Sequence, residues 1–171
     1  VYVINDLNEV IDCDLVIELF DFNGEKIQSY IESLKLNPIS AKKYFSTKVK
    51  NLIENKNRSK IVLKSLIKTK DSVLSKNHFY FVKPKDINYP EPKFNIKYEV
   101  LKDAFLIIII PSTFLFKVHV NCTNCKGIFS DNYFDLFPGE EKKIKFKPND
   151  NMNINIKNLR FNFNTMYDLV Q

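Results

Sequence analysis

Along most of the chain apolar and polar residues alternate with a period of two, the period of a half-buried strand. Val1 to Asn5 predicts a short strand, closed by Asn5-Asp6 and the polar Asn8-Glu9. Cys13, Leu15, Ile17 and Leu19 share one face of the next strand, with Asp14, Val16, Glu18 and Phe20 opposite. Asp21-Phe22-Asn23-Gly24 has the composition of a turn, with glycine last. A strand resumes with Ile27, Ser29 and Ile31 facing one way and Gln28, Tyr30 and Glu32 the other, until Asn37-Pro38 breaks it. Ser46 to Asn55 departs from the pattern. There Val49, Leu52 and Ile53 stand at helical spacing, and an extended reading competes closely. Ile61, Leu63 and Ser65 then alternate with Val62, Lys64 and Leu66, Asp71-Ser72 turns the chain, and Phe79 to Val82 forms a compact apolar run.

Lys83 to Pro92 reads K-P-K-D-I-N-Y-P-E-P, and its prolines stiffen it and deny it ladder hydrogen bonds. Strands follow again. Phe94 to Val100 is the first, turned by Lys102-Asp103. Phe105 to Ile110 is apolar on both faces, which suits a central strand covered on both sides. Phe114, Phe116, Val118 and Val120 are expected to point inward, with Lys117 and His119 outward, and Ile154 to Phe163 is expected as the last strand. Short strands with frequent turns predict an all-β fold: two tandem immunoglobulin-like β-sandwich domains, 1–86 and 87–171, joined by the Pro-rich linker.

The most distinctive stretch is Ser130 to Lys147, S-D-N-Y-F-D-L-F-P-G-E-E-K-K-I-K-F-K. Asp131 and Asn132 are suited to a bend, and Tyr133, Phe134 and Phe137 are expected to plug a sandwich. Pro138-Gly139 fits the two central positions of a type II turn, because proline pre-sets φ at the first and glycine tolerates positive φ at the second. Ile144 and Phe146 then alternate with Lys143, Lys145 and Lys147. The stretch predicts strand, tight corner and lysine-rich strand.

Charge changes this picture little. The net charge is +6, with 15 Lys/Arg against 11 Asp/Glu before Pro90 and 11 against 9 after it, so neither half carries a concentrated basic block. That argues against a nucleic-acid partner, which wants a basic face with a reading element. The longest apolar run, Ala104 to Pro111, falls well short of the roughly 20 residues of a membrane helix, so no membrane partner is expected. Cys13, Cys122 and Cys125 are an odd set without a framework pattern, which points to a reducing compartment and a cytoplasmic location. The sequons at Asn57 and Asn121 are of a kind that arises by chance. The chain opens at Val1 directly in a strand-like run, as a segment excised from something longer would.

Candidate chemistry is thin. Cys122-Thr-Asn-Cys125 has metal-ligand spacing and His119 lies three residues before it, but a structural zinc site wants four ligands, and only His78 and Cys13 remain. No metal or cofactor is expected. Asp131, Asp135, Glu140 and Glu141 cluster at the corner, where bend-forming and N–H-accepting roles suit them better than the paired carboxyls of a glycosidase. No phosphate-cradling glycine loop and no Ser–His–Asp set stand out, so this chain is not expected to be an enzyme, and no residue is assigned to catalysis. Tyr98 or Tyr133 could stack on a pyranose, making a carbohydrate-binding module the alternative, although most aromatics fall on inward positions.

Ser130 to Glu140 resembles the signature of the C-terminal immunoglobulin-like domain of β-mannosidases in glycoside hydrolase family two; the matching corner residues are Asp131, Asn132, Tyr133, Phe134, Pro138 and Gly139. Val3-Ile4-Asn5-Asp6, Asp21-Phe22-Asn23-Gly24, and Asn77 to Phe81 with Lys83-Pro84-Lys85-Asp86 resemble the penultimate domain, in order. Phe137 departs from the smaller aliphatic residue common in relatives. Similar corners occur in other family-two exo-glycosidases. The resemblance implies a parent enzyme that removes terminal non-reducing β-D-mannose with retention, using two glutamates on a (β/α)₈ barrel of roughly 250 residues. Nothing in this chain reads as that barrel. The expected role is that of a non-catalytic C-terminal fragment scaffolding the barrel and other domains of its own parent chain.

Overall fold

A computed structural model describes residues 1–149 and 158–170. The chain forms two compact units, one of Val1–Asp21 with Glu25–Asn88 and the other of Phe22–Gly24 with Tyr89–Gln171. Both are antiparallel β-sandwiches of the immunoglobulin-like kind.

In the first unit the strands are β1 (Tyr2–Asn5), β2 (Ile11–Asp21), β3 (Lys26–Leu36), β4 (Ser40–Lys43), β5 (Ile61–Lys68) and β6 (Val73–Tyr80). One sheet runs β3-β2-β5-β6 and β1 pairs with β4. The period-two face of β2 delivers Cys13, Leu15 and Ile17 to a core shared with Val3, Leu34, Leu36 and Ile67. Leu19 packs with Ile53 and Ile61 in a second cluster. The ambiguous Ser46 to Asn55 stretch resolves as one short helix, α1 (Val49–Ile53), and Ile53 is its buried residue. Phe79, in the run expected to be compact, is 55% exposed because β6 is an edge strand. Asn5 is buried and fully used: its Nδ2 donates to the carbonyls of Glu9 and Asn37, both at 2.9 Å, and its Oδ1 accepts from the Leu7 N–H at 3.1 Å. Within the Pro-rich segment Pro84–Asp86 makes a single 3-10 turn, Ile87 is buried, and the Asn88 N–H donates to the Ser59 carbonyl at 3.0 Å.

The second unit contains β7 (Phe94–Val100), β8 (Phe105–Pro111), β9 (Leu115–Cys122), β10 (Gly127–Phe129), β11 (Phe134–Leu136), β12 (Lys142–Pro148), β13 (Phe161–Asn164) and α2 (Met166–Leu169). The sheets are β10-β12-β8-β7 and β11-β9-β13. Their inner faces meet at Phe105, Ile107, Ile109, Leu115, Val118, Val120, Leu136, Ile144 and Phe146. Ile144 and Phe146, at 0% exposure, each contribute about 1.5–3 kcal/mol by burial. Ile108 lies on the opposite face of β8 and is also buried. It stands directly between Lys97 of β7 and Lys143 of β12, whose aliphatic stems are placed to cover it. Of the last expected strand, Ile154 to Phe163, residues 150–157 lie outside the described residues, Asn158 to Arg160 are not strand, and only Phe161–Asn164 forms one, β13.

One expectation about β9 is corrected. Straight alternation puts Phe114, Phe116, Val118 and Val120 on one face. Instead the β9–β11 register shifts between Val118↔Phe134 and Leu115↔Leu136, and Lys117 takes φ +48°. This is a β-bulge, which inserts one residue and reverses side-chain phase. Leu115 therefore joins Val118 and Val120 in the sandwich core. Phe114 and Phe116 turn to a separate aromatic cluster, their rings 4.4 Å apart, with Phe137 4.4 Å from Phe114 and Tyr89 4.8 Å from Phe116.

Candidate functional site

The corner runs between β10 and β12, and its side chains make the contacts that a continuous strand would make with its backbone. Asn132 bonds the Val120 backbone in both directions: its Oδ1 accepts from the Val120 N–H at 2.7 Å and its Nδ2 donates to the Val120 carbonyl at 2.8 Å. Asp135 holds the bulge, since its Oδ1 accepts the Lys117 N–H at 2.9 Å and its Oδ2 lies 3.4 Å from the Lys117 Nζ. Asp131 Oδ1 accepts the Asn132 N–H at 2.8 Å, and Oδ2 accepts from Lys142 Nζ. The hydrogen bond from Lys142, helped by that from the Asn132 backbone, holds the Asp131 carboxyl below its ordinary value, against a smaller opposing effect of burial. Lys142 Nζ also lies 4.9 Å from the centre of the Phe134 ring.

The reversal is a type II turn in its diagnostic features. Gly139 sits at φ +79° after Pro138, and the Glu140 N–H donates to the Phe137 carbonyl at 3.1 Å. Phe134 packs against the sandwich core and Phe137 is buried among the aromatics. Tyr133 is the correction: it does not plug the sandwich. It is 64% exposed, at φ +59°, and its ring stacks on His119 with centroids 4.9 Å apart and planes at 13°. Alternation explains this, because Phe134 faces the core across from Val118 and its neighbour must face away.

Tyr133 and His119 thus open the outer face of the β11-β9-β13 sheet. Register places Asn164 directly across from His119 and Asn162 directly across from Asn121. Asn162 and Asn164 follow from the period-two pattern of β13, yet they were not singled out in the sequence, because polar residues on an outer strand face are unremarkable; Asn121 was named only as a sequon. Asn121 of the second sequon lies in a strand paired on both sides, and its Oδ1 is buried without a hydrogen-bond partner among the described residues.

The remaining candidates are dispersed. Cys122 and Cys125 pack against the core with partners of their own, Asn124 Oδ1 and the Lys126 carbonyl, each at 3.5 Å. Among the described residues no three His, Cys, Asp or Glu side chains are grouped to hold a metal, and no helix is long and apolar enough to cross a membrane. Glu141 pairs with Lys143 at 3.2 Å. Tyr98 is 45% exposed and stacks on Phe161 at 5.7 Å. The first unit holds a cleft of about 500 Å³ beside β1, lined by Tyr2, Ile4, Leu7 and Leu74 among others.

Comparison with known proteins gives this arrangement its context. The family model for the mannosidase Ig/CBM-like domain matches residues 1–86, and the mannosidase Ig-fold domain matches residues 89–169. No curated protein sequence matches the chain. Among solved structures it is similar to the β-D-mannosidase of Dictyoglomus thermophilum, with a TM-score of 0.66 and 15% identity over 96% of this chain and 20% of that one. It is also similar to the exo-chitosanase of Amycolatopsis orientalis, with a TM-score of 0.55 and 13% identity over 85% of this chain and 22% of that one. The chain therefore spans about a fifth of the length of either enzyme.

Proposed function

The chain belongs to the mannosidase immunoglobulin-like domains, one module of each kind in tandem, and from that premise we propose that it is the non-catalytic C-terminal part of a β-mannosidase. In this reading it scaffolds a catalytic barrel of the same parent chain, and the parent removes terminal non-reducing β-D-mannose from oligosaccharides. The observation that carries it is the ordered pair of mannosidase modules over residues 1–86 and 89–169, matched again over 96% of the chain by the architecture of one β-D-mannosidase. The corner carboxylates fit a non-catalytic role, since Asp131 and Asp135 are engaged by lysines and backbone N–H groups. A cytoplasmic parent is part of the reading, supported by an odd set of three cysteines, Cys13, Cys122 and Cys125, without a framework pattern.

The likeness to the exo-chitosanase favours a second reading, in which the parent is another family-two exo-β-glycosidase. The test is to express the full-length parent with and without residues 1–171. Hydrolysis of p-nitrophenyl β-D-mannoside by the full protein, with insolubility or a large loss of thermal stability on deletion, is the expected result. Preference for the β-D-glucosaminide moves the assignment to the second reading, and a truncated enzyme of undiminished stability refutes the scaffold role.

A further inference from the structure

The sandwich of the first unit is lopsided. Four strands make one sheet, β3-β2-β5-β6, and among the described residues only β1 and β4 form the other. Register carries the inner face of the larger sheet from Leu15 and Ile17 across Ile67 and Ser65 to Ser75 and Asn77 of β6. Leu15 and Ile17 are buried, yet Ser75, Asn77 and Phe79 on the same face are exposed. The cleft of about 500 Å³ beside β1 occupies this uncovered space, with Val1 to Leu7 along one side and Ser65, Ile67, Leu74, Ser75 and Asn77 along the other. β1 meets the cleft with an unpaired edge. The carbonyls of Val1 and Leu7 accept from the Tyr44 and Ile39 N–H groups on the β4 side, at 3.1 Å each. Alternation therefore turns the N–H and C=O of Tyr2 and Ile4 the other way, where no described strand pairs with them. Edges that face water are commonly blunted by lysine, proline or a bulge. β4 follows that rule with Lys42 and Lys43, whereas β1, Tyr2-Val3-Ile4-Asn5, has no such residue, and its Tyr2 and Ile4 are 70% and 64% exposed.

We propose that the free edge of β1 is a strand-addition site, filled by an extended segment of the parent chain from outside residues 1–171. Strand addition takes its affinity from main-chain hydrogen bonds and its specificity from pockets for alternate side chains. Tyr2 and Ile4 supply the hydrogen bonds. The floor supplies the selectivity, because Ser65, Ser75 and Asn77 are small. A strand added about 4.8 Å from β1, facing the larger sheet at the usual spacing of about 10 Å, has room there for large apolar side chains at every second position. Two observations favour the parent chain over a second copy of this one. Tyr2, Ile4, Leu7 and Leu74 leave on the order of 500 Å² of surface bare. That is short of the ~800 Å² per partner that a stable dimer buries, and ordinary for a contact between parts of one chain. The chain also spans only 20% and 22% of the two related enzymes, so a parent of that length holds ample chain to supply a strand. This choice of occupant rests on the proposed reading of the chain as part of a longer glycosidase.

Hydrogen exchange tests the edge and its occupant separately. In the 171-residue chain, amide NMR should show Tyr2 and Ile4 exchanging at least ~10-fold faster than Val3 and Asn5, which face β4. In the full-length parent, exchange mass spectrometry should show the segments Tyr2 to Leu7 and Val73 to Phe79 protected at least ~10-fold relative to the isolated chain. Tyr2→Lys combined with Ile4→Lys should leave the Tm of the isolated chain unchanged, since both side chains are exposed. In the parent the same double variant should abolish the protection and lower the Tm by several degrees. Slow exchange at Tyr2 and Ile4 in the isolated chain overturns the proposal, as does equal exchange of the two segments in chain and parent, or protection that survives the double variant. A dimer of the isolated chain that the double variant dissolves on sedimentation gives the edge to a second copy and overturns it too. Protection elsewhere in the first unit, without protection at β1 and β6, removes this site alone, because the scaffold reading stands or falls on the deletion test.

Discussion

Replacing Asp135 by alanine should destabilise the second unit far more than a surface carboxylate would. Its side chain is 8% exposed, and its Oδ1 accepts the N–H of Lys117, a residue at φ +48°. A hydrogen bond to a charged group contributes about 1.5–3 kcal/mol, and its removal leaves that N–H without its acceptor. The Lys117 ammonium side chain is 55% exposed, so the ion pair adds at most about 1 kcal/mol. A total near 2–3 kcal/mol corresponds to a fall in Tm of roughly 8–24 °C for a domain of this size. The cost extends beyond the contact, because the bulge sets which of Leu115 and Phe116 faces the sandwich core. Asp135→Asn keeps an acceptor in place and should lose only about 1 kcal/mol. Differential scanning calorimetry of both variants, with amide exchange at Lys117, reads the effect. If Asp135→Ala melts with the wild type, the carboxylate does not hold the bulge and the phase of β9 has another cause.

Two further outcomes test the corner. The Asp131 carboxyl is held below its ordinary value near 3.8, so the pair with Lys142 stabilises fully above that value and loses its effect as pH falls through the lower folded value. With the Asp131 side chain 43% exposed, screening leaves about 0.5–1 kcal/mol. The Tm gap between wild type and Asp131→Asn should accordingly be a few degrees at neutral pH and vanish in strong acid; a gap that persists there removes the charge explanation. Gly139 is at φ +79° with nothing within 4 Å of an added Cβ, so Gly139→Val should cost about 1–3 kcal/mol from backbone strain alone. Gly139→Asn should cost clearly less by the same calorimetry, because asparagine tolerates the left-handed region.

Local order was legible in the sequence, and long-range phase was not. The alternation Cys13-Leu15-Ile17-Leu19 placed the inward face of β2 correctly, because no bulge interrupts it over those residues. Pro138-Gly139 announced its turn because both residues act through φ, a local property. The same counting failed at Lys117, where the bulge depends on Asp135, eighteen residues away in sequence. It failed again at Tyr133, read as inward because it is aromatic. The surer guide was its neighbour Phe134, whose place in the core fixes Tyr133 on the other face. The cross-strand neighbours of Asn162 and Asn164 were hidden for a related reason: they are fixed only when β13 pairs with β9.

The acidic cluster at the corner can now be assigned on physical grounds. A glycosidase acid must stay protonated near neutrality, which requires burial or a neighbouring negative charge to raise its pKa. Asp131 is shifted the other way, by Lys142 and a backbone N–H, so it is ionised under working conditions and has no proton to give. Asp135 is committed to the Lys117 N–H and cannot leave it without releasing the bulge. Asn132 is bonded twice to Val120, and Gly139 donates its N–H to the Pro111 carbonyl at 3.3 Å. Asp131, Asn132 and Asp135 therefore answer demands of the fold, closing a corner between two sheets where backbone pairing is interrupted. Tyr133 is the exception. Its ring makes no contact with the core, its backbone conformation is costly, and glycine would suit the turn better. The Tyr133 N–H still donates to the Val118 carbonyl at 2.7 Å and its ring packs on His119, so it ties the corner to β9 from the outer face.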